Sequence, residues 1–305
     1  MLDRLIRFAG FLFFGIAVWL IAREIHLVGW HYLWQTLLET PGWLILTILT
    51  VVSLNYLILS GYDLLALRYI NCKLPYTKVL EASSISFAFS NTTGHTYAAG
   101  GAVRYLFYRP QGISRLNILK MVIFDTLSVL IGLLASFETA VLLHSAGTRF
   151  FVAHQFEINN LAILTIILFL LYYAFIINRK QILKWRKLTL RAPTGKESVG
   201  QILVGLGDNI TLFLCFYVIL CFFVPTHFTS AFMIFMMAQT IGFATQVPGG
   251  LGVFEGTFLS LFPHTLAQKA GILAALVLFR VFYYFIPFIL SGIYLGIRFL
   301  KRKIS

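Results

Sequence analysis

Apolar residues run along this 305-residue chain in long unbroken blocks rather than at the spacing of half-buried helices or strands. Blocks near 8–22, 43–66, 118–144, 160–177, 199–224 and 270–297 each approach the roughly 17–25 apolar residues of a bilayer-spanning helix. They predict about six full spans. Arg4 and Arg7 precede the first block, but no small-x-small site follows Ile21. That block therefore reads as a retained anchor rather than a cleaved signal.

Two further regions, 79–107 and 230–266, are apolar but broken in mid-run. The breaks are Ser90-Asn91-Thr92-Thr93-Gly94 with Gly100-Gly101, and Pro248-Gly249-Gly250-Leu251-Gly252. Charge decides how they cross. Cytoplasmic loops collect Lys and Arg. If the N-terminus, 68–78, 104–120, the basic loop 179–196 and the C-terminus lie inside, they hold 20 of the 24 basic residues. Both termini are then cytoplasmic, and each broken region must return to its own side. Two oppositely oriented re-entrant helical hairpins satisfy this; two tilted spans each is the alternative, which the longer second region nearly accommodates. The fold class expected is an all-α polytopic membrane protein, 1–305, in an inverted-topology arrangement. Its first half is roughly 43–144 and its second roughly 199–297. No residue-by-residue internal repeat is evident, so that arrangement rests on span order and charge.

Composition agrees. Apolar residues make up 59% of the chain and charged ones 11%, against about 45–50% and about 25% in soluble proteins. This excludes a soluble enzyme and a disordered chain. The net charge of +13 follows from loop orientation and needs no nucleic acid. Three Cys and seven scattered His have neither a disulfide framework nor metal-ligand spacing, so no metal or cofactor is expected. The 30–39 segment, with Trp30, Tyr32 and Trp34, reads as an interfacial helix on the outer surface.

Charge inside the bilayer is costly, about 2.5–3.5 kcal/mol at mid-helix on insertion scales. Glu255 and Arg280 both fall near the midplane, where they either neutralise one another or each meet a zwitterionic ligand. Asp63, Asp125 and Asp208 lie in the inner halves of their spans, and Arg104 follows the inner break. They would line a polar vestibule. Irregular backbone at membrane depth is tolerated only where protein buries it or water reaches it. The breaks therefore imply a cavity near Asn91, Gly94, Gly100, Gly101, Pro248, Gly249, Gly250 and Gly252, where helix N-termini would favour an anion. Close packing of small residues is the alternative reading of each glycine. Gly292-Ile293-Tyr294-Leu295-Gly296 is a small-xxx-small motif suited to a homodimer contact or to internal packing.

At these residues the chain resembles a known family. Val247-Pro248-Gly249-Gly250-Leu251-Gly252-Val253-Phe254-Glu255-Gly256 is similar to the Pro-Gly-Gly-x-Gly-x-x-Glu signature of the lysylphosphatidylglycerol synthase transmembrane family. That family comprises the flippase domain of the multiple peptide resistance factor and its stand-alone bacterial relatives. Tyr62-Asp63-Leu64-Leu65, and Ser90-Asn91 through Gly100-Gly101 to Arg104-Tyr105, resemble its earlier signatures; Arg280 stands where its last span carries an arginine. The resemblance implies translocation of membrane phospholipid, aminoacylated phosphatidylglycerol being the best-known cargo, in a bacterial cytoplasmic (inner) membrane. It points to Asp63, Arg104, Glu255 and Arg280. Two-domain members add a soluble aminoacyltransferase domain, whereas this chain stops at Ser305. The expectation is a transporter and not an enzyme, since no nucleophile-base pair or metal motif occurs. A small-solute or isoprenoid-linked-lipid transporter, or a membrane partner of a separate lipid-modifying synthase, are the alternatives.

Overall fold

The computed structural model describes residues 34–35, 38–93, 99–143, 155–177, 181–185, 188–245 and 248–304. The expected span at 8–22, most of the 30–39 segment and Gly94 lie outside the described residues. The helices are α1 (Gly42–Tyr69), α2 (Tyr76–Thr93), α3 (Gly101–Tyr108), α4 (Arg115–Leu143), α5 (Gln155–Ile177), α6 (Gly195–Phe223), α7 (Phe228–Thr245), α8 (Val253–Leu261), α9 (Leu266–Phe279) and α10 (Ile286–Ile304). Among the described residues, five helical stretches are long and apolar enough to cross a membrane: α1, α4, α6, α7 and the continuous run Gln268–Lys301. Four coincide with expected spans. The fifth, α7, is the first arm of the second broken region. The expected 160–177 span falls in α5, whose apolar stretch Ile158–Ala174 is shorter. Leu46, Leu54 and Leu57 on α1, Leu168, Leu170 and Leu171 on α5, and Leu290 and Ile293 on α10 are exposed. A belt of this kind suits lipid and not water. The chain is a multi-pass membrane protein.

One element departs from an all-α reading. Inside the basic loop 179–196, β1 (Gln181–Trp185) pairs antiparallel with β2 (Leu188–Arg191). The Tyr69 hydroxyl donates to the Arg191 carbonyl at 2.7 Å, and Arg191 Nε returns a bond to the Tyr69 carbonyl at 3.1 Å. The hairpin is thereby docked on the end of α1. A run of charges hides this alternation in the sequence.

Helix ends follow local chemistry. Asn71 takes φ 57° after α1, Cys72 N–H reaches Leu67 O, and Asn71 N–H reaches Arg68 O. This is a Schellman stop, in which the last carbonyls find donors. At α6, Thr194 and Glu197 cap one another reciprocally, and Glu197 also holds Arg191 at 2.5 Å. Between α9 and α10 the helix widens into a π-turn at Arg280–Phe285. Pro287 has no N–H to offer the Tyr283 carbonyl, so the ladder must shift there.

The two halves repeat one order of lengths. A helix of 28 residues, one of 18, a short one of 8 and a long one of 29 make up α1–α4. Helices of 29, 18 and 9 residues make up α6–α8, followed by the run Gln268–Lys301 of 34. Packing repeats as well: α1 lies on α6, α4 on α7, and α10 on α2. At the α4–α6 crossing a Cβ on Gly132 would stand 2.4 Å from Gly205 Cα, so only glycine allows the approach. The second half buries an aromatic core, with Phe216 against Phe235, Phe254, Phe258 and Phe279 at 4.9–6.0 Å.

Candidate functional site

Two ion clusters and one acid without an ionic partner stand out among the described residues. The first cluster joins α1, α3 and α4. Arg104 donates to Asp63 Oδ1 from Nε (2.9 Å) and Nη2 (2.6 Å), and its Nε lies 3.0 Å from Asp125 Oδ2. The Tyr108 hydroxyl donates to Asp63 Oδ2 at 2.5 Å, and the guanidinium sits 4.9 Å over the Phe87 ring. All three charged side chains are fully buried. One cation thus faces two carboxylates. Gly100 makes room for it, because a Cβ there would stand 3.0 Å from Arg104 Nη1 and collide with Ser90 Oγ. A Cβ on Gly101 would stand 3.4 Å from Val122, an ordinary contact.

The second cluster explains the Pro-Gly-Gly-x-Gly-x-x-Glu spacing. Pro248–Gly250 form one tight 3₁₀ turn, and Gly249, Gly250 and Gly252 take φ of 61°, 63° and 78°. Those are left-handed values that glycine adopts without strain. Glu255, three residues after Gly252, accepts its N–H at 2.8 Å and so closes the first turn of α8. The other Glu255 oxygen takes Arg280 Nε at 2.6 Å, and Arg280 Nη1 and Nη2 donate to the carbonyls of Gly249 (2.6 Å) and Gly250 (3.5 Å). The Arg280 guanidinium also lies 4.6 Å over the Tyr284 ring. Glu255 and Arg280 are therefore a pair. Where the sequence suggested free N–H groups awaiting an anion, the break instead aims two carbonyls at an arginine.

Asp208 is different. Asn55 Nδ2 donates to its Oδ1 (3.0 Å), and the Tyr62 hydroxyl donates to its Oδ2 (3.1 Å). Asn55 is held in turn by Tyr283, whose hydroxyl donates to Asn55 Oδ1 at 2.7 Å. No lysine, arginine or histidine among the described residues pairs with Asp208. At 1.5 Å per residue, Asp208 and Asn55 each stand about 20 Å from the start of their helices, close to the middle of both. Tyr62 links this acid to the first cluster through its neighbour Asp63.

The two breaks meet. The position of a Cβ on Gly249 is 3.1 Å from Thr92 O and 3.7 Å from Asn91 O, at the end of α2. Around this junction lies a partly open cavity lined by Ser90, Asn91, Asp208, Gln239, Gly250 and Arg280 among others. Asn91, Asp208, Gly249, Gly250 and Arg280 thus come together, with Pro248, Gly252 and Glu255 attached through the same turn. Asp63, Arg104 and Asp125, with Gly100 and Gly101 beside them, form a separate cluster off the cavity wall. Asn55, Tyr62, Tyr108 and Tyr283 escape a search for charges. An asparagine in mid-span is the one signal that could have marked them.

These features define a class: a multi-pass helical membrane protein with its polar centre at two broken helices. The chain belongs to the family described as the lysylphosphatidylglycerol synthase TM region, which its residues 7–291 match. It is 32% identical over 304 residues to the uncharacterized protein slr0712 of Synechocystis, covering 94% of this chain and 89% of that one. Over 287 residues it is 28% identical to the inner membrane protein YbhN of Escherichia coli, covering 92% and 88%. It is also 23% identical over 242 residues to the phosphatidylglycerol lysyltransferase of Bacillus subtilis, covering 76% of this chain but 27% of that enzyme's length.

Proposed function

We propose that the protein carries phospholipid between membrane leaflets through the cavity where the two breaks meet. That junction at mid-helix depth is the observation that supports the reading most directly. It sets hydrogen-bonding groups where irregular backbone needs water or protein, and it lies between halves with matching helix lengths and packing, as in transporters built from inverted repeats. On this reading α2–α3 and α7–α8 are hairpins entering from opposite faces, and both termini are cytoplasmic. The membrane is the bacterial inner one, as in the name of YbhN.

Charge argues for the headgroup. Arg104 and Arg280 are each neutralised by carboxylates, whereas among the described residues Asp208 has no cation beside it. A headgroup bearing an amine would meet Asp208, and its phosphate would lie towards the edge of Arg280. Relatives named phosphatidylglycerol lysyltransferase favour a lysylated phosphatidylglycerol among such lipids. The chain acts as a transporter, without a catalytic step of its own.

Purified protein in vesicles with fluorescent phosphatidylethanolamine, phosphatidylglycerol or lysylphosphatidylglycerol tests this. Exchange of an amine-bearing lipid should exceed that in protein-free vesicles. Gly242→Val should abolish it: a Cβ there points at the cavity with its nearest neighbour at 3.9 Å, so the fold is spared. No exchange of any lipid by well-folded protein overturns the reading and leaves a small-solute transporter.

A further inference from the structure

We infer that Asp208 is a proton-binding site, and that a proton and the amine of the headgroup compete for its carboxylate. The inference rests on the transport reading for the amine but not for the proton. An ionised carboxylate in a membrane interior loses most of its hydration and needs a compensating charge. Asp63 and Asp125 share Arg104, and Glu255 has Arg280. Among the described residues, Asp208 has only neutral donors, Asn55 and Tyr62.

The surroundings decide which cation fits. Three oxygens cluster as metal ligands would: Asp208 O and Oδ1, both 3.0 Å from Asn55 Nδ2, and Thr211 Oγ1 at 2.7 Å from it. The Asn55 amide nitrogen fills their centre. Tyr283 fixes that orientation by donating to the amide oxygen on the other side. A sodium or calcium ion therefore has no vacant cage. Oδ2, met among the described residues only by the Tyr62 hydroxyl at 3.1 Å, keeps capacity for a proton or an ammonium.

Each packed element bears on this. From α1, Tyr56 and Tyr62 face the acid, and Asp63 and the α4 residue Asp125 lie beyond Tyr62 with Arg104 between them. From the π-turn come Tyr283 and Tyr284, with Arg280 on the same cavity wall and Glu255 of α8 bound to it. Helix α7 brings no charged side chain, and the single charge of α9, Lys269, lies in its first turn. The phenols are neutral and the nearby arginines are matched by carboxylates, so among the described residues nothing else supplies the missing positive charge. Asp208 releases its proton as the ammonium docks and takes one up as it leaves. A carboxylate that must hold either of two cations couples their movements, and the coupling is reciprocal.

Infrared titration of the protein in nanodiscs reads the site without any transport. A protonated-carboxyl band that disappears on raising the pH should be present in the native chain and weaker in Asp208→Asn by the one carboxyl removed. Tyr62→Phe, which keeps the ring and removes one donor, should displace the midpoint of that band and so reports even if Asp208→Asn fails to fold. In vesicles, a pH gradient should change exchange of fluorescent phosphatidylethanolamine severalfold for the native protein and leave Asp208→Asn indifferent. A band absent from the native protein, or untouched by both substitutions, overturns the inference. So does native exchange that ignores the gradient. A band that behaves as described in a protein that moves no lipid overturns the transport reading and the coupling, and upholds the proton site.

Discussion

Replacing Glu255 by Gln removes a charge and little else, because the Gln oxygen can still accept the Gly252 N–H. What remains is Arg280, 7% exposed, still donating to the carbonyls of Gly249 and Gly250 but without its carboxylate. Breaking a buried pair from one side costs about 3–5 kcal/mol. The two carbonyls put this case near the lower end, about 3 kcal/mol. Arg280→Gln leaves Glu255, which is 20% exposed and keeps its backbone donor. A loss of about 2 kcal/mol is expected there, within the range for a partly satisfied group. The double variant has no stranded charge, so it should cost about 2 kcal/mol in all, a coupling of about 3 kcal/mol between the sites. Unfolding midpoints in mixed detergent micelles, followed by circular dichroism, measure the cycle. Single losses that simply add would refute the pairing argument. Lipid exchange by the double variant asks the functional question: full activity in a well-folded chain would remove both residues from the site and leave them as a structural clamp.

Gly205→Val should prevent α6 from closing on α4, since a Cβ at Gly205 would lie 2.2 Å from Gly132 Cα, while Gly296→Val, with nothing within 4 Å, should be silent. Yield and monodispersity on size exclusion separate the two, and equal behaviour would refute the crossing. Single cysteines at Lys73 and Gly112 should react with impermeant thiol reagents from one side of the membrane, and cysteines at His227 and Pro263 from the other. Labelling of Lys73 and Gly112 from opposite sides would replace the first hairpin by a full crossing.

What could be read from the sequence here is what the bilayer makes expensive. A charge at mid-span carries its cost whatever it touches, so Asp63, Arg104, Asp125, Asp208, Glu255 and Arg280 stand out before any partner is known. Partnership is another matter. Arg104 and Asp63 are 41 residues apart and Glu255 and Arg280 are 25 apart, and nothing in either spacing says which acid each arginine takes. Only the packing of α1, α3 and α4 together, and of the Gly249 turn against the π-turn, decides it. The glycine signature lies between these cases. Its turn residues and the Glu three positions on are local chemistry, legible as a helix start. That its carbonyls face Arg280, and that Gly249 abuts Thr92, depends on the far half of the chain. The same distinction accounts for Asn55 and Tyr62. Neutral side chains carry no charge penalty, so they are silent until α1 lies on α6 and sets both against Asp208. Two arginines found by cost turn out to be neutralised, and the acid left without a cation is recognised only by what does not surround it. The chemistry of this centre therefore rests less on which charges enter the membrane than on which of them the helix breaks leave uncompensated.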